Sequence, residues 1–233
     1  MKPQHFWTWF QNNEKSFHKL HHAKPIEFIK KAKEFKNRFE KMNTGIGYEI
    51  LFQKDLKKQG IITFTALGNK NLYQSIRELV NAAPKLKYWK VNAFIQPLKD
   101  FKVDKDYSEG MIGISLDQLF FQPIRFYKTS KKVKLCFYTN QYVFGEDPEE
   151  LKLYVIKLMS LYLGEVFFFK KVKDLKVLKY KKNKDKIYRA TELKNFLKNP
   201  TLENLPQKSY KRIPKKIKVV TANQPRDYPS NKE

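Results

Sequence analysis

The sequence predicts an α+β fold, because the period of its hydrophobic pattern changes along the chain. Two stretches near the N-terminus repeat apolar residues with helical spacing, and later runs alternate apolar with polar residues, as strands do. Of the 233 residues, 41% are hydrophobic and 15% are aromatic, which is enough for a sizeable core. We therefore expect a folded protein with antiparallel-rich sheets packed against helices.

Two amphipathic helices are predicted at the start of the chain. The first spans residues 4–20, and the apolar side chains near one of its faces are Phe6, Phe10, Phe17 and Leu20. The second ends at Asn43-Thr44-Gly45 and carries lysines on its remaining faces. Its apolar positions are Phe28, Ala32, Phe35, Phe39 and Met42. We expect this pair to form an added layer on the sheets.

A first ββαβ unit is predicted at 46–96. Its elements are strands at 48–52 and 62–66, a helix at 72–83 and a strand at 89–95. The Gln59-Gly60 turn joins the first two strands as a hairpin, and Pro84 stops the helix.

A second ββαβ unit is predicted at 122–170. Its elements are strands at 124–127 and 133–138, a helix at 147–163 and a strand at 166–169. Asp147-Pro148-Glu149-Glu150 is a strong helix start, and Gly164 closes this helix. The helix is apolar on nearly all sides, which indicates a central position. The run Val-Phe-Phe-Phe that follows predicts a strand buried on both faces.

The same order of elements in both units predicts a duplicated architecture within one α+β domain at 1–198. No residue-level repeat supports the duplication, so recurrence of a common unit by chance is an open alternative. Residues 199–233 are rich in Lys, Pro and polar residues, and we expect them to form a disordered tail in solution.

The charge of the chain is its most unusual property. It has 48 Lys and Arg against 23 Asp and Glu, so its net charge is +25. Between Lys170 and Lys218 there are 18 basic and 4 acidic residues, a surplus of 18 − 4 = +14. A field of this sign attracts polyanions, and salt screens the attraction. The alternative is a lysine-biased composition whose excess serves only as a solvated surface.

Two C-terminal segments interleave cations with tyrosines, a pattern that favours binding to nucleic acid. Lys side chains neutralise phosphates, and Tyr rings can stack on unpaired bases. The predicted contacts are Lys179, Tyr180, Lys181, Lys182, Lys184, Lys186, Tyr188, Arg189, Tyr210, Lys211, Arg212, Lys215, Lys216 and Lys218. RNA or a ribonucleoprotein assembly is the favoured partner, with little sequence specificity because Lys lacks the bidentate fork of Arg. An acidic protein or an anionic membrane surface is the alternative partner.

Catalysis finds little support in the sequence, which predicts no catalytic residue, no metal site and no cofactor. No nucleophile elbow or P-loop is present. Glu14, His18 and His22 share a helical face, but neighbouring lysines oppose a cation there. Asp117 and Glu165 are the acids that we expect to be partly buried, each paired with a lysine. An enzyme that uses these two acids is the alternative to a binding module.

The sequence also bears on compartment. No stretch of about 18 apolar residues is present, so no transmembrane segment is expected. The N-terminus lacks a signal-peptide pattern. The single Cys136, in an apolar strand, excludes a disulfide framework. A cytoplasmic location follows as an expectation, and the oligomeric state is left open.

Several stretches together resemble an uncharacterised bacterial protein family. They are Phe6-Trp7-x-Trp9-Phe10-x-x-Asn13-Glu14, Ile61-Ile62-Thr63-Phe64-Thr65-Ala66-x-Gly68-Asn69, Ala82-Ala83-Pro84-Lys85-Leu86-x-x-Trp89-x-Val91-x-Ala93-Phe94, Leu119-Phe120-Phe121-x-Pro123, Leu163-Gly164-Glu165, Glu192-Leu193 and Phe196-Leu197, where x marks a position that does not carry the resemblance. The family has no established activity, so the resemblance implies an intracellular protein but no catalytic residue. This chain departs from the family in its lysine content and in its extension after about residue 198.

Overall fold

The structure is a computed structural model, which describes residues 2–42, 44–52, 55–108, 112–139, 148–179, 187–198 and 200. The predicted tail at 199–233 lies outside the described residues, apart from Pro200.

Three helices and a three-stranded sheet make up the N-terminal part. The elements are α1 (Pro3–His18), α2 (Pro25–Glu40), β1 (Gly47–Leu51), β2 (Gly60–Thr65), α3 (Tyr73–Asn81) and β3 (Trp89–Ala93). Strand β1 pairs with β2 antiparallel and β3 pairs with β2 parallel, so the sheet order is β1-β2-β3. The crossover through α3 is what allows β3 to run parallel to β2.

A four-stranded sheet and three helices follow. The elements are β4 (Leu119–Tyr127), β5 (Lys132–Thr139), α4 (Pro148–Leu163), α5 (Glu165–Lys171), β6 (Val172–Lys179), β7 (Tyr188–Arg189) and α6 (Leu193–Lys198). Strand β4 is antiparallel to β5 and to β7, β6 is parallel to β5, and the order is β6-β5-β4-β7. Strands β4, β5 and β6 therefore repeat the antiparallel-then-parallel topology of β1, β2 and β3. The α+β class is confirmed. The second unit differs from the predicted ββαβ order, because two helices, α4 and α5, lie between β5 and β6. A duplication and a single domain at 1–198 stay predictions.

An aromatic core holds the two leading helices against the first sheet. Phe6, Trp7 and Phe10 of α1 are buried together with Phe35 and Phe39 of α2. The Trp7 indole Nε1–H donates to the carbonyl of Leu79 over 2.8 Å, so α1 is fixed to α3 by a buried hydrogen bond as well as by packing. Only the C-terminal half of α2 is buried in this way. The predicted face is wrong at Phe28 and Ala32, which are exposed, although the Phe28 ring contacts the Phe52 ring with centroids 5.4 Å apart.

The second core lies under the four-stranded sheet. Helix α4 buries Leu151, Val155, Leu158 and Met159 against it, which confirms the predicted central position. Among the described residues, none of the helices combines the length and apolar character that crossing a bilayer requires.

The prediction of a strand at 166–169 is wrong, because these residues belong to α5. Gly164, at φ 87, ends α4 and lets the chain begin a second helix at once. The buried residues Glu165, Phe168 and Phe169 are spaced by three and one, which is the helical period, while Val166 is exposed. The third strand of the unit, β6, comes directly after this helix.

Candidate functional site

The carboxyl group of Glu165 joins the two units. One oxygen, Oε1, accepts the backbone N–H of Ala66 at 2.9 Å, and Oε2 accepts that of Ile95 at 3.1 Å. The backbone N–H of Glu165 in turn donates to the carbonyl of Ile95 at 2.9 Å. Glu165 is fully buried. The prediction that a lysine neutralises this acid is wrong for these contacts, since its partners are backbone amides at the carboxyl ends of β2 and β3.

Two neighbouring groups complete this junction. Gly68 lies so close to the Phe169 ring that a Cβ built on it would be 2.5 Å from two ring atoms. The hydroxyl of Tyr73 is buried and has no hydrogen-bond partner among the described residues. Burial and the nearby Glu165 raise the pKa of Tyr73 to about 12, although Arg77 opposes the shift. The engagement of both Glu165 oxygens by backbone amides indicates a structural junction.

The other singled-out polar residues also have partners within the protein. The prediction that Asp117 is partly buried is wrong, because its side chain is exposed. Its Oδ1 accepts a hydrogen bond from the Ser115 hydroxyl at 2.5 Å. Glu14 accepts the backbone N–H of Tyr88 at 3.1 Å, and the His18 ring Nε2 lies 2.8 Å from the carbonyl oxygen of Lys58. Within the described part of the chain, no three His, Cys, Asp or Glu side chains are grouped as a metal would require.

Three of the fourteen predicted nucleic-acid contacts fall in the described residues: Lys179, Tyr188 and Arg189. Lys179 ends β6 and Arg189 lies in β7, so they occupy opposite edges of the sheet, about 14 Å apart at three strand spacings. The ring of Tyr188 stacks on Phe121 with centroids 5.4 Å apart. The structure therefore does not bring these three together. Their role stays a prediction, and the remaining eleven lie outside the described residues.

A concentration of cations that sequence reasoning missed lies where the β4–β5 hairpin meets the start of β6. Residues 125–134 contain five cations and no carboxylate, and residues 170–174 contain three cations and one carboxylate. We call these residues the basic sheet end. Its cations are Arg125, Lys128, Lys131, Lys132, Lys134, Lys170, Lys171 and Lys173. The one carboxylate, Asp174, accepts a hydrogen bond from Lys134 at 2.5 Å. Partial burial raises the pKa of Asp174, but the Lys134 contact outweighs it and the pKa is lowered.

The basic sheet end contains a cavity of about 480 Å³ beside the hairpin turn. Seven described residues line it, of which three are cationic and none is acidic: Arg125, Phe126, Tyr127, Lys128, Thr129, Ser130 and Lys173. The Arg125 guanidinium lies 5.0 Å from the centroid of the Tyr127 ring, and the Lys173 ammonium lies 4.1 Å from it. Both are cation–π contacts that hold the cations in place.

The two units contribute a further pair of like charges next to the hairpin. The amine of Lys70, after β2, lies beside the amine of Lys132 in β5. Burial and this neighbour lower the pKa of Lys70 to about 8. Two ammonium groups at such close range repel each other, and an anion between them would relieve the repulsion.

The signal for this site was present in the sequence. Arg125-Phe126-Tyr127-Lys128 and Lys131-Lys132 interleave cations with a tyrosine, which is the criterion that selected the C-terminal segments. The sequence did not show that β6 places Lys173 against the same tyrosine, since that contact depends on the sheet order.

Comparisons of this chain with known protein families, curated proteins and solved structures give no match. The resemblance drawn from the sequence stretches therefore stays a prediction.

Proposed function

We propose that this is a non-enzymatic cytoplasmic protein that binds a polyanion, with RNA or a ribonucleoprotein assembly as the partner. The observation that supports the proposal is the composition of the basic sheet end. It contains eight cations and one carboxylate, and that carboxylate, Asp174, accepts a hydrogen bond from Lys134. Clustered ammonium groups release counterions from a phosphate backbone, and that release supplies most of the affinity of non-specific binding.

The cations elsewhere are balanced in part by neighbouring acids. On α2, Lys31 lies 2.9 Å from Glu34 and Lys36 lies 3.7 Å from Glu40. The basic sheet end has a larger local excess, which is why we favour it as the first contact. The Lys-rich segments from Lys179 onward would add phosphate contacts along the same chain of RNA.

The non-enzymatic part of the proposal is supported by the engagement of one candidate acid, Glu165. Both of its carboxylate oxygens accept backbone amides, and the side chain is fully buried. A general acid or base needs an oxygen that can reach the substrate.

The test is the affinity of the full chain for a fluorescent single-stranded RNA of generic sequence, measured against NaCl concentration. We expect log Kd to rise linearly with log salt, with about 0.7 of slope for each phosphate contact. Replacing Lys128, Lys131 and Lys132 by Gln should remove about 2 from that slope. A matched control replaces Lys24, Lys30 and Lys33 of the α2 region by Gln, with the same change in net charge and a smaller expected effect.

Replacing Lys181, Lys182 and Lys184 by Gln measures the contribution of the C-terminal segments in the same assay. A flat salt dependence, or no binding at low salt, would reject the proposal. Co-purification of an acidic protein that survives nuclease treatment, without RNA binding, would replace it.

A further inference from the structure

Two β-bulges lie at the same level of the four-stranded sheet. In β4 the register passes from Pro123 opposite Leu135 to Arg125 opposite Lys134, which leaves Ile124 as the extra residue. In β6 it passes from Val172 opposite Val133 to Asp174 opposite Lys134, which leaves Lys173 as the extra residue. Bulges bend a strand and redirect its side chains, and they recur beside functional sites.

The bulges bring two cations from different strands to one aromatic ring. Arg125 follows the first bulge and Lys173 forms the second, although β5 separates β4 from β6. Both cations contact the Tyr127 ring, at 5.0 Å and 4.1 Å from its centroid. Side chains as long as Arg and Lys lose much rotamer freedom when they are immobilised. Because the Tyr127 ring already orders the Arg125 and Lys173 side chains, less conformational entropy is lost when a ligand binds.

The chemistry of the cavity fits an anion that has several acceptor oxygens. Arg125 can donate two parallel hydrogen bonds, and Lys128 and Lys173 add ammonium donors. The Thr129 and Ser130 hydroxyls lie in the turn beside them. A phosphate group can accept from all of these, because it has three acceptor oxygens and up to two charges, whereas a carboxylate has two oxygens and one charge. The cavity volume also leaves room for atoms attached to that phosphate.

We infer that the Arg125–Tyr127–Lys173 cavity binds a phosphate group of a nucleotide, either within an RNA chain or in a free nucleotide. Arg125 and Lys173 contact the phosphate oxygens, and Tyr127 is a positioning residue that holds both cations. If the phosphate belongs to an RNA chain, the inference rests on the proposed function, because the cavity is then one discrete phosphate contact within the basic sheet end.

The experiment titrates the full chain with inorganic phosphate and then with uridine monophosphate by calorimetry in a low-salt chloride buffer. The variants are Arg125→Gln with Lys173→Gln, Arg125→Lys alone and Tyr127→Leu alone. The matched control is Lys30→Gln with Lys33→Gln, which makes the same change in net charge on α2. All four variants are checked for folding by circular dichroism, and Arg125→Lys changes no charge.

We expect the Arg125→Gln, Lys173→Gln pair to weaken binding of both probes about tenfold or more, and the α2 pair to weaken it less than twofold. Arg125→Lys and Tyr127→Leu should weaken it several-fold, since the first removes the bidentate fork and the second removes the shared ring. Phosphate affinity that is equal in the two double variants would overturn the inference. Absence of phosphate binding to the unaltered chain would do the same.

The two proposals fail in different ways. If RNA binding is salt-dependent and falls equally in both double variants, the proposed function stands and the phosphate cavity is rejected. If uridine monophosphate binds at the cavity but RNA does not bind, the cavity stands for a free nucleotide and RNA binding is rejected. Competition between RNA and inorganic phosphate that is lost in the Arg125→Gln, Lys173→Gln variant would support both.

Discussion

At the scale of single residues, the carboxyl group of Glu165 links the two units of the fold. It supplies acceptors to two backbone amides that follow β2 and β3, and it lies at the first position of α5. A carboxylate also suits the start of a helix, where unpaired N–H groups leave a partial positive charge.

Replacing Glu165 by Ala should destabilise the protein by about 3–5 kcal/mol, because two buried N–H groups lose their acceptor. Glu165→Gln should cost less, since the amide retains one carbonyl oxygen. The free energy of unfolding in urea measures both. The control is Glu40→Ala, whose exposed side chain lies 3.7 Å from Lys36 and should matter little. Equal effects of Glu165→Ala and Glu40→Ala would contradict a joining role.

Lys70 provides a test of electrostatics at the same scale. Its pKa is about 8 in the folded protein, below the ordinary 10.5. Below pH 8 the amine is charged in both states, and the folded state bears the cost of its partial burial and the repulsion from Lys132. Between about pH 8 and 10.5 the unfolded state binds more protons, so this residue makes stability rise with pH.

Lys70→Gln should therefore raise the free energy of unfolding at pH 7 and flatten the rise between pH 8 and 10.5. Urea denaturation at several pH values, with Lys33→Gln as the control for a lost surface charge, checks both parts. A variant that is less stable at pH 7 would show that the Lys70 amine makes a favourable contact instead.

At the scale of elements, the close contact between Gly68 and the Phe169 ring fixes how α5 lies on the end of β2. Gly68 has φ 89, a conformation that side-chain-bearing residues rarely adopt, and the ring occupies the place of a Cβ. The contact depends on the helical conformation of α5, because that conformation directs the Phe169 ring toward Gly68 of the first unit.

Gly68→Ala should cost about 2–4 kcal/mol, from backbone strain and from displacement of Phe169. Gly113→Ala is the matched control, because Gly113 has φ 71 and no described atom within 4 Å of its Cβ position. It should cost only about 1–2 kcal/mol. Thermal or urea unfolding of the pair separates steric crowding from backbone strain, and equal costs would exclude the crowding.

The elements that the sequence predicted correctly are those whose hydrophobic period matches the observed helix or strand. The hairpins, α3 and the central α4 follow from alternation, Pro84 and an all-apolar helix. The run Val166–Phe169 was predicted as a strand because its side chains favour strands locally. In the fold, the contacts of Glu165 and Phe169 with the first unit favour a helix instead. The cations of the basic sheet end are visible in the sequence, but their meeting at Tyr127 depends on two bulges that carry no glycine.

At the scale of the whole molecule, a net charge of +25 opposes compactness. Raising NaCl from about 50 mM to about 500 mM shortens the screening length and should raise Tm, by about 2–4 °C for each kcal/mol of repulsion removed. Scanning calorimetry of the nuclease-treated chain checks the direction. A Tm that falls over this range would mean that ion pairs such as Lys157–Glu49, at 3.1 Å, outweigh the repulsion.

Pro123 has a consequence for how molecules of this protein meet. Within the described part of the chain, strand β7 pairs with Phe120 and Phe121 of β4, and the next positions of β4 are Gln122, Pro123 and the bulged Ile124. Proline has no N–H to offer to a neighbouring strand, and a bulge interrupts the regular ladder of backbone donors and acceptors. The rim of the sheet beyond Phe121 is therefore a poor template for a strand from a second copy, which protects an aromatic-rich chain from aggregating edge to edge.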